Sequence, residues 1–439
     1  MASSVLHIKD SYYFEVPKFL WQARFRTKAE FPDVWVRLDP EFQAWEAERL
    51  YASLAKIDDV PSWPQLREEY LGWRQDHANF GKPLDVMLNE ADRQSREAYK
   101  SWVQADSSRS DVSFAQYLQT TPRPHAWFSR QWEESSFREQ WAAIQQTAGD
   151  VADYKASASD WSVEKISAYN DRLSGKILIP QPPGATLRNL YEPESGFCIS
   201  KFLVIEVAVA LVLLVVFSQL GRRIAAGQPP RGRLWNLLEV FLVYLRDNVA
   251  RSAIGKHDGD RFVPLLWTIF MFVLGCNLCG LLPWVGSPTG SFGVTTALAA
   301  VTFSAGTLSG MKKFGVAGFF ANQVPQMSLP LVMSIFIKPM LLVLELIGLV
   351  IKHTVLAIRL LANMVAGHLV LLGIMGLAFG ASAAANFVEL PTWLWAGTAV
   401  VAILSSALFS CLELFVAFLQ AYIFTFLSAL FIGAAVHHH

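Results

Sequence analysis

Cysteine is scarce in this sequence, and its few cysteines suit neither a disulfide framework nor a metal site. Four are present among 439 residues: Cys198 beside an apolar run, and Cys276, Cys279 and Cys411 within apolar runs. Cys276 and Cys279 have the spacing of a metal or redox motif, but no further ligand-type Cys or His accompanies them. We interpret them as small helix-packing residues and assign the chain no metal and no cofactor.

The N-terminal part also lacks several functional signatures. Met1–Lys18 has no basic start followed by an apolar core, so a cleavable signal peptide is not expected and export must use a later apolar run. Residues 1–198 contain no nucleophile, phosphate loop or acid pair specific enough to indicate an enzyme. They hold 23 Lys and Arg against 29 Asp and Glu, without a basic patch, so nucleic acid is not an expected partner.

Charge divides the chain into two parts. The net charge of zero is the sum of about −6 in residues 1–198 and about +6 in the remainder, which holds 14 basic and 8 acidic residues. Helical periodicity in Pro40–Ala55 and Ser129–Gln146 predicts a mostly helical, soluble N-terminal extension over 1–198. A membrane domain over 199–436 and a short tail over 437–439 follow.

Five apolar runs predict an all-α polytopic membrane protein. Phe202–Leu220, Phe262–Leu282 and the shorter Val294–Leu308 have lengths suited to single spans. Leu329–Phe379 and Leu394–Ile432 are too long to stand upright, because a helix over the first would measure ~75 Å against a hydrocarbon core of ~30 Å. We expect these last two helices to be strongly tilted or to form a hairpin within the membrane.

The run Leu341–Leu372 carries isolated charges at a fixed interval. Lys338, Glu345, Lys352 and Arg359 are seven residues apart, close to two helical turns, so they share one slowly drifting face. A soluble buried helix or an interfacial helix is the plain alternative, but an interfacial helix needs a broad polar face rather than single charges. A charge at the centre of a membrane helix costs about 2.5–3.5 kcal/mol, so such residues normally mark ion pathways.

Three segments in order resemble the a subunit of F-type ATP synthases. Ala357–Leu372 is similar to the arginine helix of that family, Asn236–Trp284 to its first cytoplasmic helix and second span, and Leu419–Phe424 to its last helix. The resemblance covers about residues 199–436. It implies a non-catalytic subunit without an ATP site, within a proton-translocating rotary complex of the cell inner membrane, whose last two helices curve around a ring of c subunits.

The resemblance also implies roles for five residues. Arg359 would be the fixed cation beside the passing carboxylates of the c ring, since arginine stays charged when partly desolvated. Asn363, one turn later, would hydrogen-bond near it, and Gln420 would be the polar partner across the helix pair, although both also suit simple polar contacts between helices. His368 and Glu413 would be the imidazole and carboxylate of one half-channel, distributed as in mitochondrial members.

Further polar positions belong to the predicted half-channels. Glu345 and Lys352 match polar positions at the cytoplasmic mouth, and they pair either with each other or with Lys338. The third span departs from the family, because Ser291–Thr296, including Ser291 and Thr295, has hydroxyls where many members have an acid. The entrance is therefore less defined than the arginine, and either proton or sodium is compatible as the coupling ion.

Lys and Arg residues predict the orientation. The connection after the first span carries eight of them, and Lys312 and Lys313 mark the third connection, whereas Pro283–Gly293 has no charge. The basic connections are expected in the cytoplasm, with the extension and Gly380–Pro391 outside and the C-terminus inside. Expected partners are the c ring, peripheral stalk b subunits, the rest of the synthase and membrane lipid.

Two unrelated classes also fit isolated membrane charges. A secondary transporter would explain them, but the helices show no internal repeat. A non-conducting membrane anchor for the extension would explain the spans and leave Arg359, His368 and Glu413 without a purpose. Co-purification separates these classes from a synthase subunit.

Overall fold

The computed structural model describes residues 10–56, 60–76, 79, 81–106, 109–146, 150–157, 160–227, 232–282, 285–323, 331–380 and 392–437. The chain forms two compact units, one of Val16–Cys198 and the other of Met1–Glu15 with Ile199–His439. The predicted connection Gly380–Pro391 and the last two histidines lie largely outside the described residues, as does most of the first ten residues.

The unit Val16–Cys198 is built from short helices with a little strand. Its helices are α1 Asp33–Arg37, α2 Pro40–Leu54, α3 Trp63–Trp73, α4 Leu84–Gln104, α5 Phe114–Thr120, α6 Ala126–Trp132, α7 Ser135–Gln146, α8 Val151–Ser157 and α9 Val163–Leu173. After β1 (Tyr13–Glu15), which precedes this unit, its strands are β2 Lys176–Leu178, β3 Thr186–Leu187 and β4 Pro193–Ser195. β3 and β4 pair antiparallel, with Thr186 opposite Ser195.

Aromatic residues fill the core of this unit, which explains its high tryptophan content. Phe128 is fully buried and lies 4.8 Å, centroid to centroid, from the Trp141 ring. Such edge-to-face ring pairs add about 0.5–1.5 kcal/mol beyond their area burial. The apolar faces of α2, α3, α4, α6 and α7 meet at this cluster, so the helical periodicity of the sequence predicts the observed burial.

A buried carboxylate ties the beginning of α2 to α9. Asp39 caps α2 by accepting from the Glu41 backbone N–H, and it also accepts from Lys165 Nζ and Tyr169 Oη at 2.9 Å each. Burial alone would lower the pKa of Lys165, but its hydrogen bonds to Glu41 and Asp39 outweigh that effect and raise the pKa. This cluster joins segments that are more than a hundred residues apart in sequence. Removing one partner of a buried ion pair typically costs about 3–5 kcal/mol, so the cluster contributes to holding these segments together.

Five long apolar helices dominate the second unit, and the all-α membrane fold predicted from the sequence is confirmed. The helices of this unit are α10 Lys201–Ala225, α11 Arg233–Tyr244, α12 Arg251–Ile254, α13 Lys256–Leu281, α14 Phe292–Asn322, α15 Leu331–Gly380 and α16 Thr392–Val436. A π-helical turn, Leu245–Ala250, joins α11 to α12. α10, α13, α14, α15 and α16 contain segments long and apolar enough to cross a membrane.

The third membrane helix, α14, is longer than the predicted run Val294–Leu308, and it contains a break. Gly315 has φ 74° and ψ 166°, a left-handed conformation that interrupts the helix without the steric cost a side chain would add. The break follows Lys312 and Lys313, which lie beyond the apolar run. The regular part of the span therefore ends close to the lysines. The residues after Gly315 form a second helical segment, in which the Phe319 ring lies beside Gly310.

The first described residues, up to Glu15, belong to the same compact unit as the membrane helices. The Lys201 backbone N–H donates to Ser11 O at 2.7 Å, and the Phe202 N–H donates to Asp10 Oδ1 at 3.2 Å. Phe14 packs against Phe202 in the same apolar cluster. Because the first N–H groups of a helix have no intrahelical acceptor, this segment satisfies two of them at the start of α10.

The charged connection after the first span is organised by arginines. Arg251 donates to both oxygens of Asp260 at 2.7 and 2.9 Å, and to Asp247 at 2.9 Å. A hydrogen bond from Arg246 lowers the pKa of Asp247, which keeps that carboxylate ionised. The network fixes the turn between the π-helical segment and α13.

Candidate functional site

The two longest helices, α15 and α16, run antiparallel and join through polar side chains. Asn363 Nδ2 on α15 donates to Gln420 Oε1 on α16 at 2.7 Å. The Gln420 side chain is almost completely buried, and its Nε2 has no hydrogen-bond partner among the described residues. A buried amide with a free N–H has unsatisfied donor capacity, so Gln420 is able to receive an oxygen ligand or water.

His368 and Glu413 meet further along the same helix pair. His368 Nδ1 lies 3.8 Å from Glu413 Oε1, and their side chains are 16% and 9% exposed. Gly367 permits this approach, because a Cβ there would lie 2.7 Å from Glu413 Oε1. The structure therefore brings together the imidazole and carboxylate that the sequence places 45 residues apart.

A cavity of about 230 Å³ lies between α13, α15 and α16. Its walls are mostly apolar, and their polar members are Asn277, Asn363, Glu413 and Gln420. A space of this size with several hydrogen-bonding groups is able to hold more than one water molecule. The site thus offers a small polar compartment inside an apolar helix bundle.

Arg359 lies one helical turn before Asn363 on α15. Its side chain is partly exposed, and it makes no hydrogen bond or ion pair with any residue that the structure describes. The neighbouring positions Leu356, Ala357 and Leu360 are buried against the bundle. Arg359 consequently presents a cation among mostly apolar neighbours on α15, where a desolvated charge requires a partner.

Glu345 and Lys352 pair with each other rather than with Lys338. Lys352 Nζ lies 3.1 Å from Glu345 Oε1, and both side chains are substantially exposed. The pair precedes Arg359 on α15, and the His368–Glu413 pair follows it. With ~1.5 Å of rise per residue, Lys352 and His368 lie ~10 Å and ~13 Å from Arg359 in opposite directions along the helix.

The hydroxyls predicted at the beginning of the third span do not reach the cavity. Ser291 precedes α14, and the Thr295 hydroxyl donates to the Ser291 and Phe292 carbonyls at 3.3 and 3.2 Å. Neither residue lines the cavity that Asn363 and Glu413 share. Because the Thr295 hydroxyl already donates within its own helix, it needs no acceptor on a neighbouring helix.

A chain of buried polar groups near the same cavity was missed in the sequence. Ser287 Oγ lies 3.0 Å from Thr289 Oγ1, which donates to Asn277 Oδ1 at 2.7 Å. Asn277 Nδ2 in turn donates to the Ala417 carbonyl at 3.2 Å. These three side chains are 0–2% exposed, so they connect the uncharged loop before α14 to the cavity wall. The available signal was a single amide in the apolar run Phe262–Leu282.

His353 is a second residue that the sequence reasoning left out. Its ring lies between Phe303 and Phe431, with centroid distances of 5.2 and 4.8 Å. Nδ1 lies 2.9 Å from the Leu349 carbonyl within the same helix. These contacts assign His353 to the junction of α14, α15 and α16, on a different face of α15 from Arg359.

The cysteines are free thiols, with Cys276 buried and Cys279 partly buried. In the described parts of the chain, no three His, Cys, Asp or Glu side chains converge as the ligands of a metal ion would. The polar groups that line the cavity are three amides and one carboxylate.

Residues 203–433 match the family model described as ATP synthase A chain. The sequence is 38% identical over 246 residues to the ATP synthase subunit a of Myxococcus xanthus (strain DK1622), covering 55% of this chain and 75% of the relative. It is 37% identical over 312 residues to ATP synthase subunit a 2 of Chlorobium luteolum, covering 66% and 85%. Against the subunit a of Anaeromyxobacter sp. (strain Fw109-5) it is 38% identical over 236 residues, about half of each chain at 53%. The matched family region leaves the N-terminal extension outside.

Proposed function

The chain belongs to the ATP synthase A chain family. We therefore propose that it translocates ions, with protons as the principal ion, through the membrane sector of an F-type ATP synthase. It contributes two half-channels and the arginine that faces a rotating c ring. It holds no ATP site of its own. The rotary work is done by the assembled complex.

The observation that carries this proposal is the arrangement of charges along α15. Glu345 pairs with Lys352, and His368 pairs with Glu413. Arg359, which lies between Lys352 and His368 on α15, has no such partner among the described residues. An unpaired guanidinium at membrane depth is costly unless another chain supplies an anion. Carboxylates of a neighbouring ring would supply it.

A fixed cation between two polar regions explains directional transfer. A ring carboxylate that reaches Arg359 is held ionised by the guanidinium, so it loses its proton before it passes. The same charge repels a proton that would cross directly from one polar region to the other. Ions therefore cross only by riding on the ring.

The outer half-channel is proposed to include His368, Glu413 and the cavity beside them. The chain Ser287, Thr289 and Asn277 gives water or protons a polar route from the loop before α14 to the cavity wall. Asn363 and Gln420 form the inner limit of this compartment, one turn from Arg359. The inner half-channel is assigned to the side of Glu345 and Lys352, whose exposure allows contact with water.

Partner proteins give the first test. We expect the tagged chain, extracted in mild detergent, to co-purify with a ring of small carboxylate-bearing membrane subunits and with peripheral stalk b subunits. Mass spectrometry of the complex identifies both. Recovery of the chain alone, or only as a homo-oligomer, would instead favour a transporter or an anchor.

The proposed topology places the extension on the extracytoplasmic side of the inner membrane and the C-terminus in the cytoplasm. It is supported by Arg222 and Arg223 in the last turn of α10, by Arg246 in the connection that follows, and by the two lysines near the end of the third span. Roles for the parts of the chain follow: residues 1–198 as an external extension, 199–436 as the conducting domain and 437–439 as a tail.

Thiol labelling tests this topology. Ser110→Cys lies on the extension and Ala226→Cys in the connection after α10, and both positions are exposed. In a background without native cysteines, an impermeant maleimide added to intact spheroplasts should modify position 110 and leave 226 unmodified until the membrane is opened. The reverse pattern would invert the proposed topology.

A further inference from the structure

The extension exposes three consecutive large apolar residues. Phe19, Leu20 and Trp21 are 76%, 66% and 50% exposed, respectively. Burying a large apolar side chain is worth about 1.5–3 kcal/mol, so leaving three adjacent ones in water is unfavourable without a covering surface. Contiguous exposed apolar groups normally mark an interaction site.

The loop that carries these residues is held in a defined conformation. The Leu20 N–H donates to the Pro17 carbonyl at 2.9 Å, which closes a turn. Gly175 fixes both ends of the loop, since its carbonyl accepts from Val16 N–H and its N–H donates to Trp21 O, each at 2.8 Å. Gly175 has φ +85°, and a Cβ there would lie 2.6 Å from Val16 O, so only glycine fits. The apolar tip is therefore a built feature rather than a frayed end.

The short chain segment between Phe14 and Phe19 limits how far this tip can lie from the membrane. Ser11 and Phe14 contact the first residues of α10, where the first span begins. Phe19 follows Phe14 by five residues, and five extended residues reach at most ~18 Å. The interfacial layer of a bilayer extends roughly 5–8 Å beyond the hydrocarbon on each side, so a lipid surface is always within the reach of this tether.

The surroundings of the tip match the chemistry of a lipid interface. Lys18, Arg24 and Arg26 flank it and are exposed, and the Lys18–Asp171 ion pair is also at the surface. Aromatic and leucine side chains enter the boundary between headgroups and acyl chains, while lysine and arginine remain at the phosphates. Trp is enriched at this depth in membrane proteins.

We propose that Phe19, Leu20 and Trp21 insert into the phospholipid interface on the side where α10 begins and thereby dock the extension on the bilayer. The basic flanks contact lipid phosphates, and the tether supplies the membrane at a high effective concentration without a separate partner. The extension is then held at the surface by the chain at residues 10–14 and by this second contact.

Spin labels on the full chain in phosphatidylethanolamine–phosphatidylglycerol nanodiscs test the proposal, because both membrane faces are open to reagents. Leu20→Cys reports on the tip, and Val163→Cys is the matched control, since Val163 is 83% exposed on the same unit without apolar neighbours in sequence. Each cysteine is introduced into a variant that lacks the native cysteines and is then spin-labelled. The label at 20 should be accessible to oxygen and several-fold less accessible than the label at 163 to a water-soluble nickel chelate.

Two results would overturn the proposal. Equal nickel accessibility at positions 20 and 163 would mean that the tip stays in water. Protection of position 20 from both oxygen and nickel would mean that a protein surface, from a partner or a second copy, covers it. Neither result depends on ion translocation, so the proposed function is tested separately.

Discussion

Replacing Arg359 with alanine is expected to abolish ATP-driven ion pumping while the complex still assembles. Arg359 has no hydrogen-bond or ion-pair partner among the described residues, so its loss breaks no polar contact within the described helix bundle. The ring carboxylate would then lack the cation that holds it ionised, and the barrier between the half-channels would also be lost. We expect pumping to fall by about 100-fold or more, equivalent to about 2.7 kcal/mol, in fluorescence-quenching assays on inverted vesicles.

Arg359→Lys is the matched control for charge alone. Lysine keeps a positive group, but its ammonium is compact, strongly hydrated and unable to offer the planar fork that grips a carboxylate. We expect this variant to pump almost as poorly as the alanine variant. Normal pumping by Arg359→Ala, with the ring and stalk present at wild-type stoichiometry, would remove Arg359 from the mechanism.

Family membership and the helical architecture were predictable from sequence because both depend on local patterns. Apolar run length predicted the five membrane helices, and the three ordered motifs around Asn236, Arg359 and Gln420 predicted the family; comparison and structure confirm both. The pairing of Glu345 with Lys352 was one of the alternatives left open. Seven residues place the two side chains on one face about two turns apart, a separation that an extended lysine and glutamate together bridge.

The features that sequence reasoning missed depend on contacts between distant segments. The side chain of Asn277 hydrogen-bonds to Thr289 and to the Ala417 carbonyl, and Ala417 is 140 residues away in sequence. The docking of residues 10–14 at α10 uses extended backbone, which has no periodicity to detect. The break at Gly315 was missed because a glycine inside an apolar run is equally compatible with an unbroken helix.

His368 and Glu413 give a sharper prediction, because they face each other across two helices. His368 Nδ1 and Glu413 Oε1 are 3.8 Å apart, a distance at which the charge of each group affects the other and a water molecule in the adjoining cavity is able to join them. His368→Ala leaves a buried carboxylate without its imidazole, and Glu413→Ala leaves the imidazole without its acid. Each single change is expected to reduce ion pumping about tenfold or more, equivalent to at least about 1.4 kcal/mol.

The exchange of the two residues separates a relay from two independent effects. His368→Glu combined with Glu413→His restores one acid and one imidazole at the same contact, so it should recover a measurable part of the pumping lost in the singles. Gly367 leaves room beside position 413 for either side chain. Asn363→Ala on its own is the comparison for damage to the helix pair, since it removes the hydrogen bond to Gln420 without touching an ionisable group. If the exchanged protein assembles normally yet pumps no better than the worse single variant, His368 and Glu413 do not act as one unit, and the outer half-channel must be assigned to other groups on the cavity wall.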